Sequence, residues 1–141
     1  MALARASGVP RPEYLDTYFV VAPPPAGLPV RFAVVTAFNA QGRLRPEKMN
    51  WSADTELRRY LIGAKLGHFR VTGGSRDGAH REPGFGIAAD SPETIHPISR
   101  RFRQVAFFWV DRLEVFLIDT GGKARHRIGR WEQRLAQWPG P

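Results

Sequence analysis

Apolar positions along the chain fall into short blocks punctuated by proline, glycine and charge. The run YLDTYFVVA, Tyr14 to Ala22, is rich in aromatic and β-branched residues and stops at Pro23, Pro24 and Pro25, which predicts a short strand at a sheet edge. VRFAVVTAF, Val30 to Phe38, is almost continuously apolar, the pattern of a strand buried on both faces. After a polar turn from Asn39 to Pro46, Trp51, Leu57, Leu61 and Ala64 recur at helical spacing, predicting a helix over Asn50 to Ala64. Asn50 or Ser52 is its expected cap, Asp54 and Glu56 complement its dipole, and Gly67 follows its end.

HFRVTGG alternates and breaks at Gly73 and Gly74, so it reads as a short strand, and Ser75 to Pro83 as a loop. GFGIAA, Gly84 to Ala89, reads as a glycine-weakened strand. Asp90 or Ser91 then caps a second helix reaching about Arg103, with Pro92 in its first turn and Pro97 forcing a kink or a late start. QVAFFWV, Gln104 to Val110, and LEVFLID, Leu113 to Asp119, form a hairpin turning at Asp111 and Arg112. In the tail from residue 120, Ile128, Trp131, Leu135 and Trp138 share one face of a short docked helix.

The expected fold class is therefore α+β: a ferredoxin-like βαββαβ core in a mostly antiparallel sheet, with an extra N-terminal strand and a C-terminal hairpin strand. Residues 1–141 make one domain, with 1–13 a loose arm and 120–141 a basic tail. The core strand order would be 4-1-3-2. That order brings the end of strand 1, the start of strand 3 and the start of strand 4 to one edge of the sheet.

Composition narrows the chemistry. The absence of cysteine removes disulfides, thiol nucleophiles and sulfur-ligated metals. No leader-like stretch or membrane span is visible, so a cytoplasmic protein with no membrane partner is expected. The net charge of +8 suits nucleic acid or another polyanion. Because 18 of the 21 cations are arginine, that excess fits an arginine-rich codon usage equally well.

At the predicted edge, Thr36 and Asn39, the segment His80, Arg81 and Glu82, and Gln104 converge, beside the start of the first helix at Asn50 and the end of the second at Arg103. These are the ligand-binding candidates: Asn39, Asn50, His80, Arg81, Glu82, Arg103 and Gln104. A helix start flanked by arginines could hold an anion, although exposed strand ends are polar without any function. His80 and Glu82, spaced i, i+2, point the same way in extended chain and could share a proton. Two ligands make a poor metal site, so no metal or cofactor is expected. The glycine pairs match neither phosphate-loop pattern, and no hydrolase elbow is present.

With TAFN at Thr36 to Asn39, HREPGFG at His80 to Gly86 and RRFRQVAFFWV at Arg100 to Val110, the chain resembles the bacterial family catalogued as domain of unknown function 3293, over roughly Tyr14 to Asp119. Tyr14, Thr17 and Tyr18 are similar to the family's opening element, with tighter spacing. Thr36, Ala37, Asn39, Asn50, Glu82, Phe102, Gln104 and Ala106 match its motifs, while Ala40 stands where the family usually has proline. The resemblance implies no activity. It does select Asn39, Glu82 and Gln104, which are expected to form one hydrogen-bonded network. The function expected is binding of nucleic acid or another anionic ligand. The alternatives are an enzyme acting on a phosphate-bearing small molecule and an accessory protein-interaction domain.

Overall fold

The computed structural model describes residues 12–122 and 124–138. The loose arm expected over 1–13 lies, up to residue 11, outside the described residues. The chain forms α1 (Pro12–Leu15), β1 (Tyr18–Val21), β2 (Arg31–Thr36), α2 (Glu47–Gly63), β3 (His68–Gly74), β4 (Arg81–Ala88), α3 (His96–Arg101), β5 (Ala106–Asp111), β6 (Glu114–Asp119) and β7 (Arg125–Arg130). One antiparallel sheet holds all seven strands in the order β1-β3-β4-β2-β5-β6-β7.

That architecture overturns the ferredoxin-like α+β expectation. The protein is mostly β, and a four-strand βαββαβ core is not its organising unit. β3, β4, β2 and β5 do lie side by side, but the sheet runs on through β1 at one edge and β6 and β7 at the other. It curls into a half-barrel until Phe19 of β1 bridges Leu135, just past β7, where Ala136 N–H donates to the Phe19 carbonyl at 2.8 Å. A register shift at Val115/Phe116 and Gly129, at φ 133°, bend the last two strands into the curl. The helices are too few to cover a second face: Pro92 and Pro97 split the expected second helix into a 3₁₀ turn, Pro92–Thr94, and the six residues of α3, with Pro97 in its first turn.

Two cores result, one on each face. Inside the curl, Phe19, Phe32, Val34, Phe108, Leu117 and Trp131 pack together. Beneath α2 and α3, Val35, Leu57, Leu61, Ile87, Phe107 and Trp109 do the same. The continuous apolar character of β2 follows directly, since Phe32 and Val34 face one core while Ala33 and Val35 face the other. The glycine-weakened strand is repaired across the ladder: Phe69, paired with Gly86, lays its ring where a Cβ at that position would sit.

Other local expectations also change. β4 begins at Arg81, three residues before Gly84, because Pro83 costs no ladder bond there. Its nitrogen and carbonyl both point toward β2, whose pairing ends at Thr36↔Gly84, and the carbonyl takes the Thr36 hydroxyl at 2.6 Å. The β5–β6 turn is Arg112 and Leu113, both at positive φ, one residue later than predicted. Its backbone is tied down by Arg112 N–H to Val30 and by Trp131 N–H to Leu113. The predicted terminal helix is instead strand β7 followed by a 3₁₀ turn, Trp131–Arg134. Among the described residues no helix is long and apolar enough to cross a membrane.

Candidate functional site

The rim of the half-barrel gathers its polar groups from three strand ends and the start of α2. β2 ends at Thr36, whose hydroxyl also accepts Phe38 N–H at 3.0 Å, and the chain turns through Asn39 in the left-handed region at φ 53°. Asn is among the few side chains that take this conformation at modest cost. In it, Asn39 N–H donates to Asn50 Oδ1 at 2.8 Å, Asn39 Oδ1 accepts Asn50 Nδ2 at 3.0 Å and Arg45 N–H at 3.0 Å, and Asn39 Nδ2 donates to Glu82 Oε2 at 2.9 Å. Asn50 is thus not a helix cap. The helix starts earlier, at Glu47, and Asn50 is free to clamp the turn.

Glu82 Oε2 also faces His80 Nε2 at 3.3 Å. The i, i+2 spacing in extended chain does put both side chains on one side, with Glu82 buried at 7% exposure and His80 half-exposed. Asn50, Asn39, Glu82 and His80 therefore form a single relay. Gln104 joins it through the backbone, its Nε2 donating to the carbonyls of Phe38 at 3.1 Å and Phe102 at 3.2 Å, so it braces the residue before Asn39.

The two arginines go elsewhere. Arg81 Nε donates to the Gly78 carbonyl, and its guanidinium lies 4.9 Å over the ring of Trp138. Arg103, at φ 56°, contributes its carbonyl to Gln41 N–H at 2.7 Å and turns an exposed side chain to solvent.

Beneath the relay, inside the curl, lies a cavity of about 190 Å³. Its wall is mainly apolar, with Tyr14, Phe19, Val34, Ala106 and Phe108, and His80 and Glu82 border it. Sequence reasoning missed this cavity, because Gly73 and Gly74 read as a turn. They are instead the last residues of β3, and their missing side chains leave room beside Thr17 and Phe19 and for the His80 carbonyl.

Residues 35–107, a little over half of the chain, match the family described as Protein of unknown function (DUF3293). The chain belongs to that family. No curated protein and no solved structure matches it. The DUF3293 match runs from the end of β2 to the start of β5 and so takes in the whole relay, from Asn39 and Asn50 through His80 and Glu82 to Gln104. The cavity draws further walls, Tyr14, Phe19 and Phe108, from outside the matched stretch.

Electrostatics make the His80–Glu82 pair mutually dependent. The hydrogen bond to Glu82 holds the His80 imidazole above its ordinary pKa, against partial burial. Burial pushes the Glu82 carboxyl up, but hydrogen bonds from His80 and Asn39 pull it down, and it ends below its ordinary value. A raised histidine contributes stability that is full below 6.5 and lost as pH rises through its folded value. A lowered carboxyl contributes stability that is full above 4.5 and lost as pH falls through its folded value. The pair therefore contributes most between those two limits. Glu82→Gln, which weakens both charge-assisted bonds, should cost about 1–3 kcal/mol. Urea unfolding should show that cost larger at about pH 5.5 than at about pH 8.5, and an equal cost at both would show that His80 does not carry charge against Glu82.

Proposed function

We propose that this chain binds a small molecule inside the half-barrel, with an apolar body in the cavity and a hydrogen-bond donor at its polar end meeting Glu82 and His80. The observation that carries this reading is the coincidence of an apolar cavity with the one place, among the described residues, where a buried carboxylate and an imidazole are held together. Cavities near 150 Å³ admit benzene, so a space of about 190 Å³ suits a one- or two-ring compound. We place the protein in the cytoplasm as part of the same proposal.

Thermal shift with indole, phenol, benzylamine and benzoate tests it. The three donors should raise the unfolding midpoint, by up to about 2.7 kcal/mol of stabilisation at a hundredfold excess over Kd, and benzoate should not. Gly73→Val is the occluding control: a Cβ there meets Thr17 and Phe19 at the ordinary contact distances of 3.5 and 3.6 Å, so the variant can fold while filling the space. Shifts of equal size in that variant, or no shift in the natural protein, would overturn the reading.

A second reading, binding of nucleic acid or another polyanion, is favoured by the helical face. Arg58 and Arg59 of α2 and Arg100, Arg101 and Arg103 at the end of α3 are all exposed, and among the described residues none is in an ion pair. Filter binding across salt decides it, because phosphate contacts give an affinity that falls steeply with ionic strength. A flat salt dependence would remove this reading.

A further inference from the structure

We propose that His80 and Glu82 are a proton-accepting dyad acting on a small substrate seated in the cavity, a use that rests on the cavity being a ligand site. With Glu82 ionised, its carboxylate can only accept, so the His80 Nε2 that faces it keeps the hydrogen and the basic lone pair lies on Nδ1. Nδ1 has no partner among the described residues, and the ring is 46% exposed at the cavity border. The carboxylate does not swing freely, because Asn39 holds it and Asn50 holds Asn39 at two points. The His80 backbone is anchored as well, its N–H donating to Ser75 Oγ at 3.1 Å and its carbonyl accepting Ser75 N–H at 2.9 Å.

This is the division of labour that makes an imidazole a general base: one nitrogen is fixed by a buried acid, and the other is unpartnered among the described residues on a ring that borders an apolar cavity. In the step itself, the substrate's acidic C–H, N–H or O–H gives its proton to Nδ1 and the bonding pair stays on the substrate. The imidazolium formed is stabilised by Glu82, which keeps its charge and takes no proton. Returning the proton at a neighbouring atom completes an isomerisation, and loss of a leaving group completes an elimination. Neither needs a co-reactant.

The test uses 5-nitrobenzisoxazole, an uncharged two-ring compound of suitable size. Removal of its ring C–H proton breaks the N–O bond, forms the nitrile and releases a coloured cyanonitrophenolate. The natural chain should release it with saturation, and His80→Gln should lower the rate by about 100-fold. Glu82→Gln should lower it by about tenfold or more, since an amide no longer dictates which nitrogen carries the hydrogen. Indole binding, read by thermal shift on the same proteins, separates the two claims. Indole binding by the natural chain, with turnover that His80→Gln abolishes and Glu82→Gln lowers, supports the dyad. Indole binding with turnover no faster than in His80→Gln overturns the dyad and leaves the cavity reading intact. Absence of both overturns the two together.

Discussion

Phe19→Ala should lower stability by about 3–5 kcal/mol, the cost of truncating a fully buried aromatic to a methyl group. Phe19 has no exposed surface, stacks on Trp131 at 5.1 Å and meets the edge of Phe108 at 5.0 Å. Its backbone is also the point where the first strand meets the segment after the last, at Leu135 and Ala136. Removing the ring takes away the wedge between the two ends of the curl and opens a void continuous with the cavity that the ring lines. Urea unfolding should therefore show the loss in stability. Where the variant remains folded, the ligand preference in the thermal-shift series should move toward larger ring systems. A cost under about 1 kcal/mol would mean that the curl is held from elsewhere.

Most strands were legible in the sequence because their apolar runs are short, β-branched and bounded by proline or glycine. Val30 to Phe38 and Gln104 to Val110 are the clearest, both buried on two faces. The architecture was not legible, because curl is a property of pairing geometry that no single segment carries. The misread tail shows the difficulty. Ile128, Trp131, Leu135 and Trp138 do recur at helical spacing, yet Ile128 is in β7, Trp131 is in a 3₁₀ turn, Leu135 is 42% exposed in the bridge to Phe19, and Trp138 Nε1 donates to the Arg76 carbonyl. A warning was present in the sequence, since Gly129 interrupts that pattern and takes φ 133°.

The relay was partly legible for a different reason. Strand adjacency alone places the end of β2 beside the start of β4, so Asn39 and Glu82 could be paired before any coordinate was known. Asn50 was visible as a polar residue at a helix start but was assigned to capping, and Gln104 was expected on Glu82 where the structure shows it on the carbonyls of Phe38 and Phe102. Such distinctions depend on rotamers and on where a helix begins, and spacing does not specify either. The cavity needed Tyr14, Phe19, Val34 and Phe108 from four separate segments to be brought around one space.

Arg70→Met should cost about 3–5 kcal/mol, and Asp54→Ala distinctly less, although both break the same ion pair. Arg70 of β3 donates to Asp54 of α2 through both terminal nitrogens, at 2.7 and 2.9 Å, while its guanidinium lies 4.2 Å from the Phe85 ring centre and donates to the Gly84 carbonyl. The asymmetry comes from burial. The Asp54 side chain is 5% exposed and the Arg70 side chain 34%, so removing the arginine strands a carboxylate away from water, whereas removing the aspartate leaves a cation that reaches solvent. Asp54 had read as a complement to the helix dipole, but α2 starts at Glu47 and places it well beyond the first turn, where a dipole contribution has faded. What it does is fasten the helix to the sheet. Chemical denaturation of the two single variants and of the double variant measures this directly. The double variant should be no less stable than Arg70→Met, because the second substitution removes the stranded charge that made the first one costly. Additive losses would show instead that Asp54 keeps adequate solvation without its partner and that the pair contributes only as much as an exposed one.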